Sequence, residues 1–76
     1  MTTVFKGIEY NDRHGGPFDR GSADSWYSRA ENPHYYVGDT GLSKRVEAAD
    51  MTDTEIAEYH AGYEWNEQFG GKKDYD

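Results

Sequence analysis

The chain has 76 residues, no cysteine, and a formal charge of −7 from fifteen acidic and eight basic side chains. A chain this short has room for one domain with a thin core, burying only about 60 % of the surface its unfolded form exposes. The missing cysteines exclude disulfides and thiolate zinc sites, and the negative charge repels phosphate backbones, so direct binding of nucleic acid is not expected.

No apolar run approaches the roughly 20 residues that cross a bilayer, so no membrane contact is expected. The opening residues Met1 to Lys6 lack the regions of a signal peptide, and the expected location is cytoplasmic. Apolar residues make up 34 % of the chain and aromatics 16 %, with seven Tyr, two Trp and three Phe. A chain with so few aliphatics must use its rings inside, and Tyr and Trp also serve as interface anchors.

Residues 1–18 carry Val4, Phe5, Ile8 and Tyr10 before His14-Gly15-Gly16-Pro17, which predicts an extended arm or one short strand followed by a sharp corner. A short helix is predicted over 19–31, with Asp19 or Ser22 as N-cap and Asn32-Pro33 as the stop. Ala23, Trp26, Tyr27 and Ala30 then share a face, with Trp26 as its anchor. Gly21 costs such a helix about 1 kcal/mol relative to alanine, so either the helix starts after it or another backbone comes close.

Residues 33–37 read as a strand, Gly38 to Gly41 as a turn, and Leu42 to Asp50 mostly as loop with a second short strand near Arg45-Val46. Thr52-Asp53-Thr54-Glu55 is a capping box, with Met51 placed to staple onto Ile56. The main helix is predicted over 52–69, ending at Gly70-Gly71 before a frayed tail over 70–76. Its apolar stripe is Ile56, Tyr59 and Tyr63, with Trp65 and Phe69 on an adjacent flank, and Gly62 lets another backbone approach. The fold class expected is small α or α+β, two helices of unequal length packed through aromatic residues and clasped by irregular or short extended segments.

His14, His34 and His60 invite a metal site, but no pair has the spacing that puts two ligands on one helix face. His34 beside Pro33 and Tyr35 reads as a loop hydrogen-bonding residue. Ser22, Ser25, Ser28 and Asp24 supply nucleophile chemistry only if a histidine meets them, and such clusters are usually caps and solvent face. Neither an enzyme nor a cofactor is expected.

Asp19-Arg20, Asp24 and Arg29 form the constellation to watch. Two arginines flanking an acidic helix either lock it to the preceding corner or, with Trp26 or Tyr27, form an exposed interface patch. The main helix carries Glu55, Glu58, Glu64 and Glu67, a solvated acidic face or a surface imitating phosphate spacing.

The stretch from His14 to Arg29 (HGGPFDRGSADSWYSR), then Pro33 to Tyr36, Met51-Thr52, Glu55, Tyr59, Gly62-Tyr63, Asn66-Glu67 and Gly71 to Asp74 resembles a group of small uncharacterised proteins of tailed bacteriophages. The resemblance implies a phage accessory protein in the cytoplasm of an infected bacterium. A fainter similarity is to ribosome modulation factor, through Arg20-Gly21, Arg29, Pro33 to Tyr35, Tyr59 and Gly62-Tyr63. That family is basic and engages ribosomal RNA, whereas this chain is acidic.

The expected function is binding of a host protein, such as one that handles nucleic acid, so as to inhibit or redirect it. Arg20, Trp26, Tyr27, Arg29, Tyr35 and Tyr36 are the expected anchors, and Glu58, Glu64 and Glu67 the steering face, in a monomer or homodimer. The alternative is a ribosome- or RNA-associated modulator.

Overall fold

The computed structural model describes residues 2–38 and 43–73. The expected turn residues Asp39 to Gly41, Leu42 and tail residues 74–76 lie outside the described residues.

The chain opens with a hairpin of β1 (Thr2–Phe5) and β2 (Ile8–Asn11), antiparallel, with Val4 opposite Glu9 and Phe5 opposite Ile8. Here a single strand or arm was expected. The reason for the hairpin lies in Lys6 and Gly7, whose φ angles of 52° and 77° make the two-residue turn that matches strand twist. Lysine is an uncommon residue in that position, so the turn carries little sequence signal. A two-stranded hairpin is marginal alone, and this one is held by Phe5 and Tyr10 packing into the core with Phe18.

Helix α1 (Pro17–Trp26) starts and ends earlier than the predicted 19–31. Pro17 occupies its first turn and Gly16 is the N-cap without a side-chain bond, a position that suits proline because its missing N–H has no helical partner. Asp19, expected as a cap, instead accepts from the Gly15 amide at 2.9 Å and ties the helix to the corner before it. Ser22, the other expected cap, donates to the Asp19 carbonyl at 2.8 Å. The far end closes at Ser28 (φ 59°), where Ser28 N–H donates to the Ser25 carbonyl and Arg29 N–H to the Asp24 carbonyl. That pair of bonds is a Schellman stop built on serine. The helix therefore ends well before Asn32-Pro33.

Strands β3 (His34–Tyr36) and β4 (Arg45–Glu47) form a second antiparallel pair, with Tyr36 opposite Arg45. A 3-10 turn (Ala48–Asp50) leads to α2 (Asp53–Trp65). The capping box forms as expected: Glu55 N–H donates to Thr52 Oγ1 at 3.1 Å, and Thr52 N–H to the Glu55 carboxylate at 2.8 Å. The last predicted turn of this helix is a π turn (Asn66–Gly70), closed by Gly71 with φ 78°.

This is a small α+β fold in which two helices pack through aromatic residues. At their closest point they meet backbone to backbone. A Cβ built on Gly21 would lie 2.0 Å from the Tyr59 carbonyl oxygen, and one on Gly62 would lie 2.0 Å from that of Phe18. The chain segments mirror each other: Phe18, Gly21 and Ser25 on α1 have the same spacing as Tyr59, Gly62 and Asn66 from α2 into the π turn, and all six are buried. Phe18 stacks on Tyr10 at 5.2 Å between ring centres and meets Trp65 at 5.8 Å, while Phe69 packs edge-on to Phe5.

The face that α1 buries is thus not the expected one. Phe18, Gly21, Asp24 and Ser25 turn inward, while the expected anchor Trp26 remains 39 % exposed. The glycine contact sets the rotation of the helix. On α2, Tyr59 of the expected stripe is fully buried, while Ile56 and Tyr63 are only half-buried. Among the described residues no helix is long and apolar enough to cross a membrane.

Gly21→Ala and Gly62→Ala test the crossing, because in a free helix each would stabilise by about 1 kcal/mol. Here the added methyl meets a carbonyl, so the expected change is a loss of about 1 to 3 kcal/mol. Thermal unfolding followed by circular dichroism should show a midpoint lower by several degrees for either variant.

Candidate functional site

A cleft of about 490 Å³ opens where α1, the segment after it and the second strand pair meet, lined by Arg20, Asp24, Arg29, Ala30, Asn32, His34, Tyr36 and Arg45. Three of the chain's eight basic residues therefore converge on one concavity of a chain whose charge is −7.

Its floor is a buried polar network. Asp24 and His34 are each only 3 % exposed, and Tyr59 is not exposed at all. The Tyr59 hydroxyl donates to Asp24 Oδ2 and accepts the Asn32 N–H at 3.0 Å. His34 Nδ1 lies 2.8 Å from the Asn32 carbonyl and Nε2 lies 3.2 Å from Arg20 Nε. A carbonyl only accepts and a guanidinium only donates, so the ring that satisfies both carries its proton on Nδ1. The histidine expected to make a loop hydrogen bond does so, and its other nitrogen positions Arg20.

Burial first, and then the Asp24 carboxylate, push the Tyr59 phenol upward from its ordinary value of 10.0, with the Asn32 amide acting the other way. The chain that follows α1 is fastened to α2 at three points in all. Tyr63 donates to the Arg29 carbonyl at 2.5 Å, His60 pairs with Glu31 at 2.9 Å, and Tyr59 holds Asn32.

The arginines differ in how they are held. Arg20 is fixed at Nε by His34 and lies over the Tyr36 ring, 5.7 Å from its centre. Among the described residues neither of its terminal nitrogens has a hydrogen-bond partner. Arg29 approaches Asp24 Oδ1 at 3.6 Å and stacks on Tyr27 at 4.9 Å, with its side chain 59 % exposed. Arg45 pairs with Glu47 and lies opposite Tyr36 across the strand pair. Arg13, below this sheet, donates to the Tyr36 carbonyl at 2.8 Å, and Tyr36 N–H donates to the Gly15 carbonyl at 2.7 Å, so the strand pair is tied to the corner before α1.

Of the sequence-predicted anchors, Arg20, Arg29 and Tyr36 meet in the cleft, and Tyr27 borders it beneath Arg29. Tyr35 faces the other way, as strand alternation requires, and the Glu55 carboxylate raises its phenol. Trp26 lies apart, near Gly71, where its carbonyl accepts the Lys73 amide at 2.7 Å. The three glutamates do not form one free acidic face. Glu64 pairs with Lys6 at 2.5 Å, Glu67 with Lys72 and with the Ser25 hydroxyl at 2.5 Å, and Glu58 is half-buried, its carboxyl raised by burial and by Glu55.

Sequence reasoning missed Arg45 and the positioning role of His34. His34 and Tyr36 share a strand face two residues apart, which was legible. That Arg45 faces Tyr36 depends on the register of β3 against β4, and no turn signature in the sequence sets that register.

Ser25, from the candidate nucleophile cluster, is buried and bonds Glu67, Asn66 and Lys72, and among the described residues no imidazole hydrogen-bonds it. Among the described residues no three of His, Asp and Glu are grouped to hold a metal ion. Compared with protein-family models, curated proteins and solved structures, the chain matches none.

Tyr59→Phe leaves the Asn32 amide and Asp24 each short of a partner, at an expected loss of about 1 to 3 kcal/mol in urea unfolding at pH 7. The pH dependence has a definite sign. Folding raises the Tyr59 phenol above its ordinary 10.0, so the stability it contributes is complete below that pH and is lost as pH climbs beyond it. The variant should show a shallower alkaline loss; Tyr35, also raised, keeps a residual slope of the same sign.

Proposed function

We propose that the chain is a phage-type accessory protein that binds a host protein and inhibits or redirects it, with the cleft and its Tyr27 border as the binding face. One observation carries this reading. In an acidic chain, three arginines and two tyrosines gather at one open concavity, and buried polar groups beneath hold Arg20 and Arg29 in place.

Arginine and tyrosine are the side chains that dominate interface hot spots, and pre-fixed ones lose less entropy on binding. The phage resemblance of the His14 to Arg29 stretch supports the same reading by association only. The acidic remainder of the surface favours a protein partner over a nucleic acid, because long-range repulsion opposes a polyanion.

Capture on tagged protein from a bacterial lysate, with and without ribonuclease and in low and high salt, is the test. The expected result is one stoichiometric host protein that survives nuclease and is lost, by about tenfold or more, with the exposed double variant Tyr27→Ala/Arg29→Gln. Ribosomal proteins and RNA that vanish with nuclease would instead support a ribosome-associated modulator.

A further inference from the structure

The charge at the cleft specifies its guest more narrowly than the binding reading does. Arg20, Arg29 and Arg45 line it together with Asp24, and Glu47 pairs with Arg45 at its edge, so three positive charges meet two negative ones. Asp24 is buried and already accepts from Tyr59. Among the described residues Arg20 is then the lining arginine without a carboxylate partner, and a guest with several anionic oxygens can meet it while also reaching Arg29 and Arg45. A phosphate monoester carries about −1.5 to −2 at neutral pH and three acceptor oxygens.

Geometry points the same way. Arg20 is oriented by a buried histidine and by the Tyr36 ring, and among the described residues its two terminal nitrogens are unpartnered, a fork suited to two oxygens of one phosphoryl group. Arg29 and Arg45 enter the lining from the turn after α1 and from β4, so donors reach the cleft from three separate elements. At about 490 Å³ the space exceeds a bare phosphate and accommodates the group that bears it. A continuous polyanion is a poor guest, since its flanking phosphates would meet a chain of net charge −7.

We propose that the Arg20–Arg29–Arg45 cleft is a receptor for one phosphate monoester, carried either on a phosphorylated side chain of the partner or on a small phosphorylated molecule. The proposal rests on the cleft being the binding face.

The test is a titration of the full chain, followed by amide ¹H–¹⁵N spectra, with inorganic phosphate, a phosphoserine pentapeptide, its unphosphorylated and glutamate versions, adenosine monophosphate, and a short single-stranded RNA lacking terminal phosphate. Saturable shifts at Arg20, His34 and Tyr36 are expected with the three monoester or phosphate probes. Tighter binding of the phosphopeptide assigns the protein source, and tighter binding of the nucleotide the small-molecule source. Arg29→Gln and Arg45→Gln, both at exposed side chains, should each weaken binding by about tenfold or more while leaving the spectrum dispersed, since a charge-assisted bond is worth about 1.5 to 3 kcal/mol.

The absence of saturable shifts, equal binding of the glutamate peptide, or tighter binding of the RNA would each overturn the proposal. If phosphate fails while Tyr27→Ala/Arg29→Gln still loses the captured host protein, the binding reading stands without this inference. Phosphate binding with capture unaffected by that variant would leave the receptor and remove the reading.

Discussion

Two glycines, each against the backbone of the opposite helix, govern this structure. Because a methyl on Gly21 or Gly62 would fall 2.0 Å from a carbonyl of the opposite helix, α1 and α2 touch through their backbones, an approach that favours weak Cα–H···O bonds and close van der Waals contact. Helices this near leave no space for large side chains between them. The residues that seal the crossing therefore divide into two groups. Phe5, Tyr10, Phe18, Trp65 and Phe69 make a ring cluster that draws in the first hairpin and the π turn. Asp24, Tyr59, Asn32, His34 and Arg20 make a hydrogen-bonded cluster that draws in the second strand pair.

The second cluster is unusual for so thin a core. Burying a carboxylate is costly unless it is paired, and Asp24 is compensated by the Tyr59 hydroxyl and by Arg29. The network also has a consequence beyond satisfaction. By fixing the Asn32 backbone at both its N–H and its C=O, it holds the segment between α1 and β3, and hence the places from which Arg20 and Arg29 reach the cleft. A chain of few aliphatic residues thus builds the lining of its cleft from the polar side of its core.

The parts of this fold that local chemistry determines were legible in the sequence. The capping box at Thr52 and Glu55, the strands at His34 and Arg45, the ring-filled core and the close approach at Gly62 all follow from residue type and spacing. What was not legible depended on unusual residues or on pairing at a distance. Lys6-Gly7 makes a hairpin turn without asparagine or aspartate, and Ser28 ends α1 in a conformation that usually calls for glycine. Trp26 suggested the wrong buried face because size outweighed the glycine in reading that helix; the close contact needs the smallest side chain inward, and Trp26 is rotated outward as a result. For the site, Arg20, Arg29 and Asp24 stood out by their spacing, whereas Arg45 joined them only through strand register. The acidic helix face read as one surface, but Glu64 and Glu67 are drawn into separate ion pairs with Lys6 and Lys72.

The link between the crossing and the cleft runs through one hydrogen bond, from Arg20 Nε to His34 Nε2. It requires the imidazole proton to be on Nδ1, facing the Asn32 carbonyl. Long-range ¹H–¹⁵N correlation of the His34 ring reads this directly. The expected spectrum has a protonated Nδ1 and a bare Nε2 that accepts from the Arg20 Nε–H. A proton on Nε2, or a ring exchanging freely between tautomers, would contradict it and would mean that Arg20 is not held by the core beneath the cleft.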